Sequence, residues 1–270
     1  PYIKLNNQMT FAWNNRDLKS CIFQPEPQMN NTIDLKGCLN PRKEWNMNFA
    51  IGNPLLYATD IIQAQLKRSG IQLQGRITTG DLPKSAKMIS THQSAPLSSL
   101  VDTMLTDSNN IYAEALTKTL GGRVYGVPSF KAGVNAIEKI LGPKTHINFK
   151  HAQLEDGAGT SHYNFVSPQQ LLLLLGYIYK TPPLKNVILK SLPISGEKGT
   201  LAYRMSKAPL RGHVYAKTGT LVGTSTLSGY IFRTNKPTLI FSIMMNGYIG
   251  SANTARKLQG QLILDMYRHG

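Results

Sequence analysis

Three consecutive strand-like segments near the end of the chain restrict its fold more than any other feature. Residues 213–221, 225–234 and 237–246 have the composition and patterning of β-strands, and short connections containing Gly223 and Asn235-Lys236-Pro237 separate them. Alternating apolar and polar residues, bounded by turn residues, predict successive strands joined as hairpins. The connections are too short for a crossover helix, so the three strands are expected to form an antiparallel meander.

Helical periodicity dominates the rest of the chain after residue 53. Six helices are predicted. The first three run from Asn53-Pro54 to Ser69-Gly70, over 97–105 with Ser94 as its cap, and from 111 to Gly121-Gly122. The other three begin at Pro128-Ser129, cover 171–179 between Ser167-Pro168 and Pro182-Pro183, and cover 251–267. A short strand is also expected at 75–79. The fold class is therefore α/β (α+β), with an antiparallel sheet flanked by helices rather than a doubly wound parallel sheet.

The first 50 residues have no sustained helical period and favour short strands and turns. They contain the two cysteines of the chain, Cys21 and Cys38, 17 residues apart. We favour a single disulfide formed outside the cytosol, and two free buried thiols are the alternative. Neither these cysteines nor the six histidines show the spacing of a metal site, so no metal and no cofactor is expected.

The charge of the chain is one-sided rather than high. Its 270 residues include 30 Lys+Arg and 14 Asp+Glu, a net charge of +16, although charged residues are only 16 % of the total. The basic residues are scattered without the clusters of a nucleic-acid module, so nucleic-acid binding is an unfavoured alternative. Attraction to an anionic cell envelope, including peripheral contact with a membrane, explains the excess equally well. No apolar run is long enough to cross a bilayer.

Two short motifs point to serine-based chemistry. Lys217-Thr218-Gly219-Thr220 lies inside a predicted strand, and Ser108-Asn109-Asn110 lies at the junction of two predicted helices. They match Lys-Thr-Gly and Ser-x-Asn, the third and second elements of the active-site set of penicillin-recognising serine enzymes. Either motif alone is weak evidence for this chemistry, and the order and separation of the two motifs strengthen it.

With these motifs, the runs Asp156-Gly157-Ala158-Gly159 and Leu227-Ser228-Gly229-Tyr230 make the chain resemble the class C low-molecular-mass penicillin-binding proteins. These are periplasmic D-alanyl-D-alanine carboxypeptidases and endopeptidases of peptidoglycan. The resemblance implies a penicillin-binding/β-lactamase-like domain over 91–270, incomplete at its N-terminus, and the remainder of an inserted β-rich accessory domain over 1–90. It implies peptides ending in D-Ala-D-Ala and β-lactams as partners. The family usually has Asp where this chain has Asn109.

The resemblance also implies a role for each residue of the two motifs. Ser108 would pass a proton to the leaving group, and Asn110 would hold a peptide oxygen of the substrate. Lys217 and Thr218 would bind the terminal carboxylate of the substrate. Gly219 would leave the strand edge bare for an added peptide strand, and the Thr220 N–H would stabilise the oxyanion.

The first motif of this family, Ser-x-x-Lys, holds the nucleophile and its base. The only literal match here, Ser195-Gly196-Glu197-Lys198, lies between the other two motifs, and we interpret it as a surface loop. The nucleophile is therefore expected on an absent N-terminal segment, and this chain alone is expected to be inactive because Ser108 has no base beside it. A non-catalytic peptidoglycan-binding or scaffold relative is the other alternative.

Overall fold

The computed structural model describes residues 2–14, 20–42, 44, 47 and 49–270. The chain divides into two compact units, residues 1–90 and 91–270. In the described part of the chain, no helix is both long enough and apolar enough to span a membrane.

The first unit is built from short strands and one helix. Their bounds are β1 Lys4–Asn7, β2 Thr10–Phe11, β3 Gln24–Pro27, β4 Thr32–Lys36, β5 Cys38–Leu39 and α1 Pro54–Arg68. β4 is the central strand of one sheet, pairing parallel to β1 and antiparallel to β3, and β2 pairs parallel to β5. A disulfide joins Cys21 to Cys38, the first residue of β5. Among the described residues of this unit, the buried apolar side chains are Ala12, Ile33, Leu35 and Cys38.

Helix α1 begins where the sequence predicts, because the Asn53 side chain accepts a hydrogen bond from the Leu56 N–H and Pro54 occupies the first turn. No residue of this helix is buried. The strand expected at 75–79 is wrong, since residues 71–90 form neither helix nor strand. A single extended segment without a neighbour to pair with gains no ladder hydrogen bonds.

The second unit contains an antiparallel sheet with helices around it. Its elements are α2 Leu97–Thr106, α3 Asn110–Tyr125, α4 Phe130–Thr145, α5 Pro168–Lys180, α6 Pro182–Ser191, β6 Val214–Leu221, β7 Thr224–Arg233, β8 Lys236–Asn246 and α7 Ala252–His269. The strand order β6-β7-β8 confirms the predicted meander. One buried cluster contains Val214, Leu227 and Ile231 of the sheet together with Ile263 of α7, and these four side chains are fully buried.

The predicted end of helix α3 at Gly121-Gly122 is wrong, because the helix continues to Tyr125. Gly121 allows close packing instead. A Cβ on Gly121 would lie 2.6 Å from the backbone N of Gly133 in α4, so the two helices approach too closely for any side chain there.

Two other helix signals also resolve differently. Pro182-Pro183 does not only end α5 but also begins α6, since proline suits the first turn of a helix. The cap position of α2 is Pro96 and not Ser94. Helix α5 does begin at the predicted Ser167-Pro168, where Ser167 and Gln170 form the reciprocal hydrogen bonds of a capping box.

Candidate active site

Ser108 lies in the short break between helices α2 and α3. Its φ of +57° places a non-glycine residue in the left-handed region, a conformation that persists only where the surroundings hold it. The next residue, Asn109, caps α3 by accepting a hydrogen bond from the Tyr112 N–H. Asp and Asn cap helices equally well, so helix capping explains why Asn109 can stand where the family usually has Asp. Asn110 is the first residue of α3 and is exposed.

Lys217 of strand β6 forms a hydrogen bond with Ser108, which lies 109 residues earlier in the sequence. Its Nζ donates to Ser108 Oγ at 2.7 Å and to the Thr218 carbonyl oxygen at 2.8 Å. Burial lowers the pKa of the Lys217 ammonium group. Lys217 is thus a cationic partner of the Ser108 hydroxyl, which it holds in place by donating a hydrogen bond to Ser108 Oγ.

The rest of the Lys217 motif presents hydroxyl groups along β6. Thr218 Oγ1 lies 2.9 Å from Thr200 Oγ1, and Thr220 Oγ1 accepts from Arg256 Nη2 at 3.3 Å. A Cβ on Gly219 would lie 2.4 Å from Thr226 Oγ1 on the neighbouring strand. Glycine between the two threonines therefore lets the Thr226 hydroxyl on β7 lie directly against β6.

One edge of β6 is only partly covered. Residues 193–195 run beside its beginning, where the Ser195 N–H donates to the Val214 carbonyl and the Ala216 N–H donates to the Pro193 carbonyl. From Lys217 onward, no strand of the described residues pairs with this edge. An extended peptide can add there by main-chain hydrogen bonds.

A cavity of about 1460 Å³ lies in front of this edge. All six residues predicted for catalysis and substrate binding line it, namely Ser108, Asn110, Lys217, Thr218, Gly219 and Thr220. The volume exceeds the roughly 300–1,000 Å³ of ordinary small-molecule sites, so the cavity has room for more than a dipeptide.

The loop 156–161 forms one wall of this cavity and is held by its first residue. The Asp156 carboxylate accepts hydrogen bonds from the N–H groups of Gly159 and Ser161, from Thr160 Oγ1 and from Asn164 Nδ2. Burial acts to raise the pKa of this carboxyl, but the hydrogen bonds outweigh burial and leave the pKa below its usual value. Asp156 therefore shapes the wall.

That loop is also anchored to helix α3. The Gly157 N–H donates to Glu114 Oε2 at 3.0 Å, and a Cβ on Gly157 would lie 1.9 Å from Thr117 Oγ1. Contact this close to α3 explains why glycine follows Asp156.

The segment Ser195-Gly196-Glu197-Lys198 is not the surface loop that the sequence suggests. Ser195 is fully buried, its hydroxyl donates to the Leu210 carbonyl, and it accepts from the Val214 N–H at 3.1 Å. Lys198 Nζ forms a salt bridge with Asp102 instead of approaching the serine. Both groups are occupied structurally, so this serine–lysine pair cannot attack a substrate.

Several residues of the cavity wall were not predicted from the sequence, and three of them form hydrogen bonds at the site. Thr200, Arg204 and Arg256 lie in the cavity wall, and each comes from a segment without a recognisable motif. Only the position of Arg256 on a predicted amphipathic helix gave a signal, and it did not say which partner the side chain would meet.

Comparison with known proteins identifies the class to which this geometry belongs. The model of the D-Ala-D-Ala carboxypeptidase 3 (S13) family matches residues 1–266. The chain belongs to this family. Among its S13 relatives, D-alanyl-D-alanine carboxypeptidase DacB of Haemophilus influenzae is 34% identical over 223 residues, which are 81% of this chain and 46% of the relative.

A D-alanyl-D-alanine carboxypeptidase of Actinomadura sp. is 33% identical over 213 residues, 76% of this chain and 39% of that relative. The chain thus spans less than half the length of either relative.

Solved structures agree with this assignment. The crystal structure of penicillin binding protein 4 (dacB) from Haemophilus influenzae matches with a TM-score of 0.85 and 30% identity, over 98% of this chain and 60% of that one. The same protein complexed with a β-lactam matches with a TM-score of 0.84, over 98% of this chain and 63% of that one. The predicted penicillin-binding/β-lactamase-like fold is confirmed.

Proposed function

We propose that this chain supplies the second and third active-site motifs of a serine-type D-Ala-D-Ala carboxypeptidase and endopeptidase of peptidoglycan, which works through an acyl-enzyme and is acylated by β-lactams. The observation that carries the proposal is the 2.7 Å hydrogen bond from Lys217 Nζ to Ser108 Oγ at the cavity wall. The named activities of the S13 relatives and the β-lactam complex of one of them support it.

The first step of the proposed reaction is substrate binding. An extended peptide lies along the free edge of β6, where Gly219 lets the strand pack closely on Thr226. The terminal carboxylate meets the ammonium group of Lys217 and the hydroxyl of Thr218, which form charge-assisted hydrogen bonds to it. The exposed Asn110 amide holds a peptide oxygen of the substrate.

The second step is proton transfer to the leaving D-alanine. The nucleophilic serine gives its proton to its base and attacks the carbonyl carbon of the scissile bond, and the tetrahedral oxyanion accepts a hydrogen bond from the Thr220 N–H. The C–N bond then breaks, and the base returns that proton through the Ser108 hydroxyl to the amine of the leaving group. Hydrogen bonding to Lys217 fixes that hydroxyl in place. Water later hydrolyses the acyl-enzyme ester and restores the serine.

We propose that the attacking serine and its base lie outside the 270 residues described by this sequence. Ser195 is buried and fully hydrogen bonded, and Lys198 pairs with Asp102, so neither fills these roles. The size of the S13 relatives supports the proposal, because this chain spans 46% of one and 39% of the other. In the same way, residues 1–90 are proposed to belong to an accessory domain inserted in the catalytic one.

Labelled penicillin tests this function. The protein expressed from its complete reading frame should be acylated at one serine, and peptide mapping by mass spectrometry should place the adduct outside these 270 residues. Residues 1–270 alone should hydrolyse no D-Ala-D-Ala peptide. An adduct on Ser108 or Ser195 would contradict the assignment of the nucleophile, and a complete protein that takes no label would instead indicate a non-catalytic wall-binding relative.

We also propose that the protein works in the periplasm. A disulfide between Cys21 and Cys38 supports this, because disulfides persist in oxidising compartments. Cell fractionation checks it: the protein should appear in the periplasmic fraction with both cysteines unreactive to thiol reagents until reductant is added.

A further inference from the structure

The cavity carries more positive charge than the Lys217 motif accounts for. Of the described residues that line it, five are cationic and none is acidic, the cations being Arg204, Lys207, Lys217, Arg256 and Lys257. A concave surface lined by one sign of charge attracts ligands of the opposite sign. The proposed function uses only Lys217 and leaves the two arginines without a role.

The two arginines lie beside one another although they repel. Burial lowers the pKa of the Arg204 guanidinium, and the positive charge of Arg256 lowers it further. Neither guanidinium takes part in a salt bridge within the described part of the chain. Placing like charges together in a partly buried site destabilises the free protein, so a bound anion would relieve an existing repulsion.

A buried amide holds this arrangement in place. Arg204 Nη2 donates to Gln259 Oε1 at 2.8 Å, and Gln259 Nε2 donates to Ser225 Oγ at 3.1 Å. Gln259 and Ser225 are almost completely buried. Arg256 precedes Gln259 by three residues on helix α7 and therefore lies on the same face of that helix. Helix α7 thus carries Arg256 and, through Gln259, holds Arg204 beside it.

Arg256 connects this unit to the substrate strand. Its Nη2 donates to Thr220 Oγ1 at 3.3 Å. Thr218 and Thr220 are two residues apart on β6, so their side chains point to the same side of the sheet. A carboxylate received by the Thr218 hydroxyl is therefore close to the Thr220 hydroxyl and to the guanidinium behind it.

We propose that Arg256, supported by Arg204 and Gln259, binds the terminal carboxylate of the substrate from the side opposite to Lys217. This inference rests on the proposed function and assigns its carboxylate specificity. The planar guanidinium can donate two hydrogen bonds to a carboxylate, whereas an ammonium group acts as a point charge. A β-lactam carboxylate would occupy the same place.

The test compares ligands with and without the carboxylate in the protein expressed from its complete reading frame. Acylation rates are measured for benzylpenicillin and for its methyl ester in the wild type, Arg256→Gln, Arg256→Lys and Arg268→Gln. Arg268 is an exposed residue near the end of the same helix, and Arg268→Gln is the control for loss of one positive charge.

Arg256→Gln should slow acylation by the free acid roughly tenfold to a hundredfold, the cost of one charge-assisted hydrogen bond, and should leave the ester rate unchanged. Arg256→Lys should recover part of the loss, and Arg268→Gln should behave as the wild type. Equal slowing of acid and ester, or no slowing of the acid, would overturn the inference.

A second measurement separates this inference from the proposed function. Equilibrium binding of N-acetyl-D-Ala-D-Ala and of its C-terminal amide is measured for the same variants. The wild type should prefer the acid, and Arg256→Gln should lower that preference roughly tenfold to a hundredfold, because Lys217 and Thr218 still bind the carboxylate. If the wild type is not acylated by penicillin, the proposed function fails, while a lowered acid preference in Arg256→Gln still supports the carboxylate site and an unchanged preference rejects it.

Discussion

The two units of the chain are stabilised in different ways. The second unit buries Leu227, Ile231 and Ile263 completely between a three-stranded sheet and helix α7. Among its described residues, the first unit buries few apolar side chains, its helix α1 buries none, and a disulfide links Cys21 to Cys38 of β5. A unit with a small core needs a cross-link to offset the entropy of folding. Ser108, Asn110 and the Lys217 motif all belong to the second unit, whose larger core can hold them rigidly.

The largest effect expected from this difference is on activity. Lys217→Gln removes the cation that faces both Ser108 and the substrate carboxylate, and should lower the penicillin acylation rate about 10²–10³-fold. Lys236→Gln removes one charge from the exposed start of β8 and should have no effect. Stopped-flow acylation of the complete protein measures both. Equal rates for Lys217→Gln and the wild type would remove this residue from the site.

The next effect is on stability and compares the two cores. Leu227→Ala should destabilise the second unit by about 4–5 kcal/mol, near the upper end for a buried leucine, because the packed sheet cannot collapse around the cavity. Ile33→Ala in the first unit should cost about 2 kcal/mol, since a thin core relaxes more easily. Calorimetry with hydrogen exchange assigns each loss to its unit. An equal cost at both positions would contradict the difference between the cores.

The disulfide gives an intermediate effect that should stay within the first unit. Replacing Cys21 and Cys38 by Ser opens a link between residues 17 apart and should cost about 3 kcal/mol. Hydrogen exchange should accelerate in β1, β4 and β5 only, and penicillin acylation should be unchanged. A slower acylation in this variant would show that the first unit supports the active site directly.

The smallest effect comes from two matched helix caps. Asn53→Ala and Ser167→Ala each remove a side-chain acceptor at a helix start and should each cost about 1 kcal/mol. Hydrogen exchange should differ in extent: all of α1 should lose protection, because no buried residue holds it, whereas α5 should fray only in its first turn. Equal fraying in the two helices would mean that α1 is packed as firmly as α5.

The sequence predicted those parts of the fold that local chemistry determines. The three strands and the start of α5 at Ser167-Pro168 depend on periodicity and on residues close in sequence, and both predictions are confirmed. The predicted end of α3 is wrong because Gly121 packs against Gly133 on another helix, and no local sequence pattern reveals that contact. The same holds for Ser195, whose burial depends on distant partners.

The same distinction between local pattern and long-range packing applies to the site residues. Ser108 and Lys217 could be found because each lies in a motif, although their 2.7 Å hydrogen bond could not. Arg204 and Arg256 could not be found, since their placement depends on the buried Gln259 and on how α7 packs against the sheet. Long-range packing therefore contributes the residues that no motif contains.

A double-mutant cycle tests the central claim, that Ser108 and Lys217 act as one site. Penicillin acylation rates are measured for Ser108→Ala, Lys217→Gln and the double variant in the complete protein. Groups that work through a shared hydrogen bond should show a coupling of about 1–3 kcal/mol, so the double variant should be little slower than the slower single variant. Losses that simply multiply would show that the two residues act independently and would contradict the account.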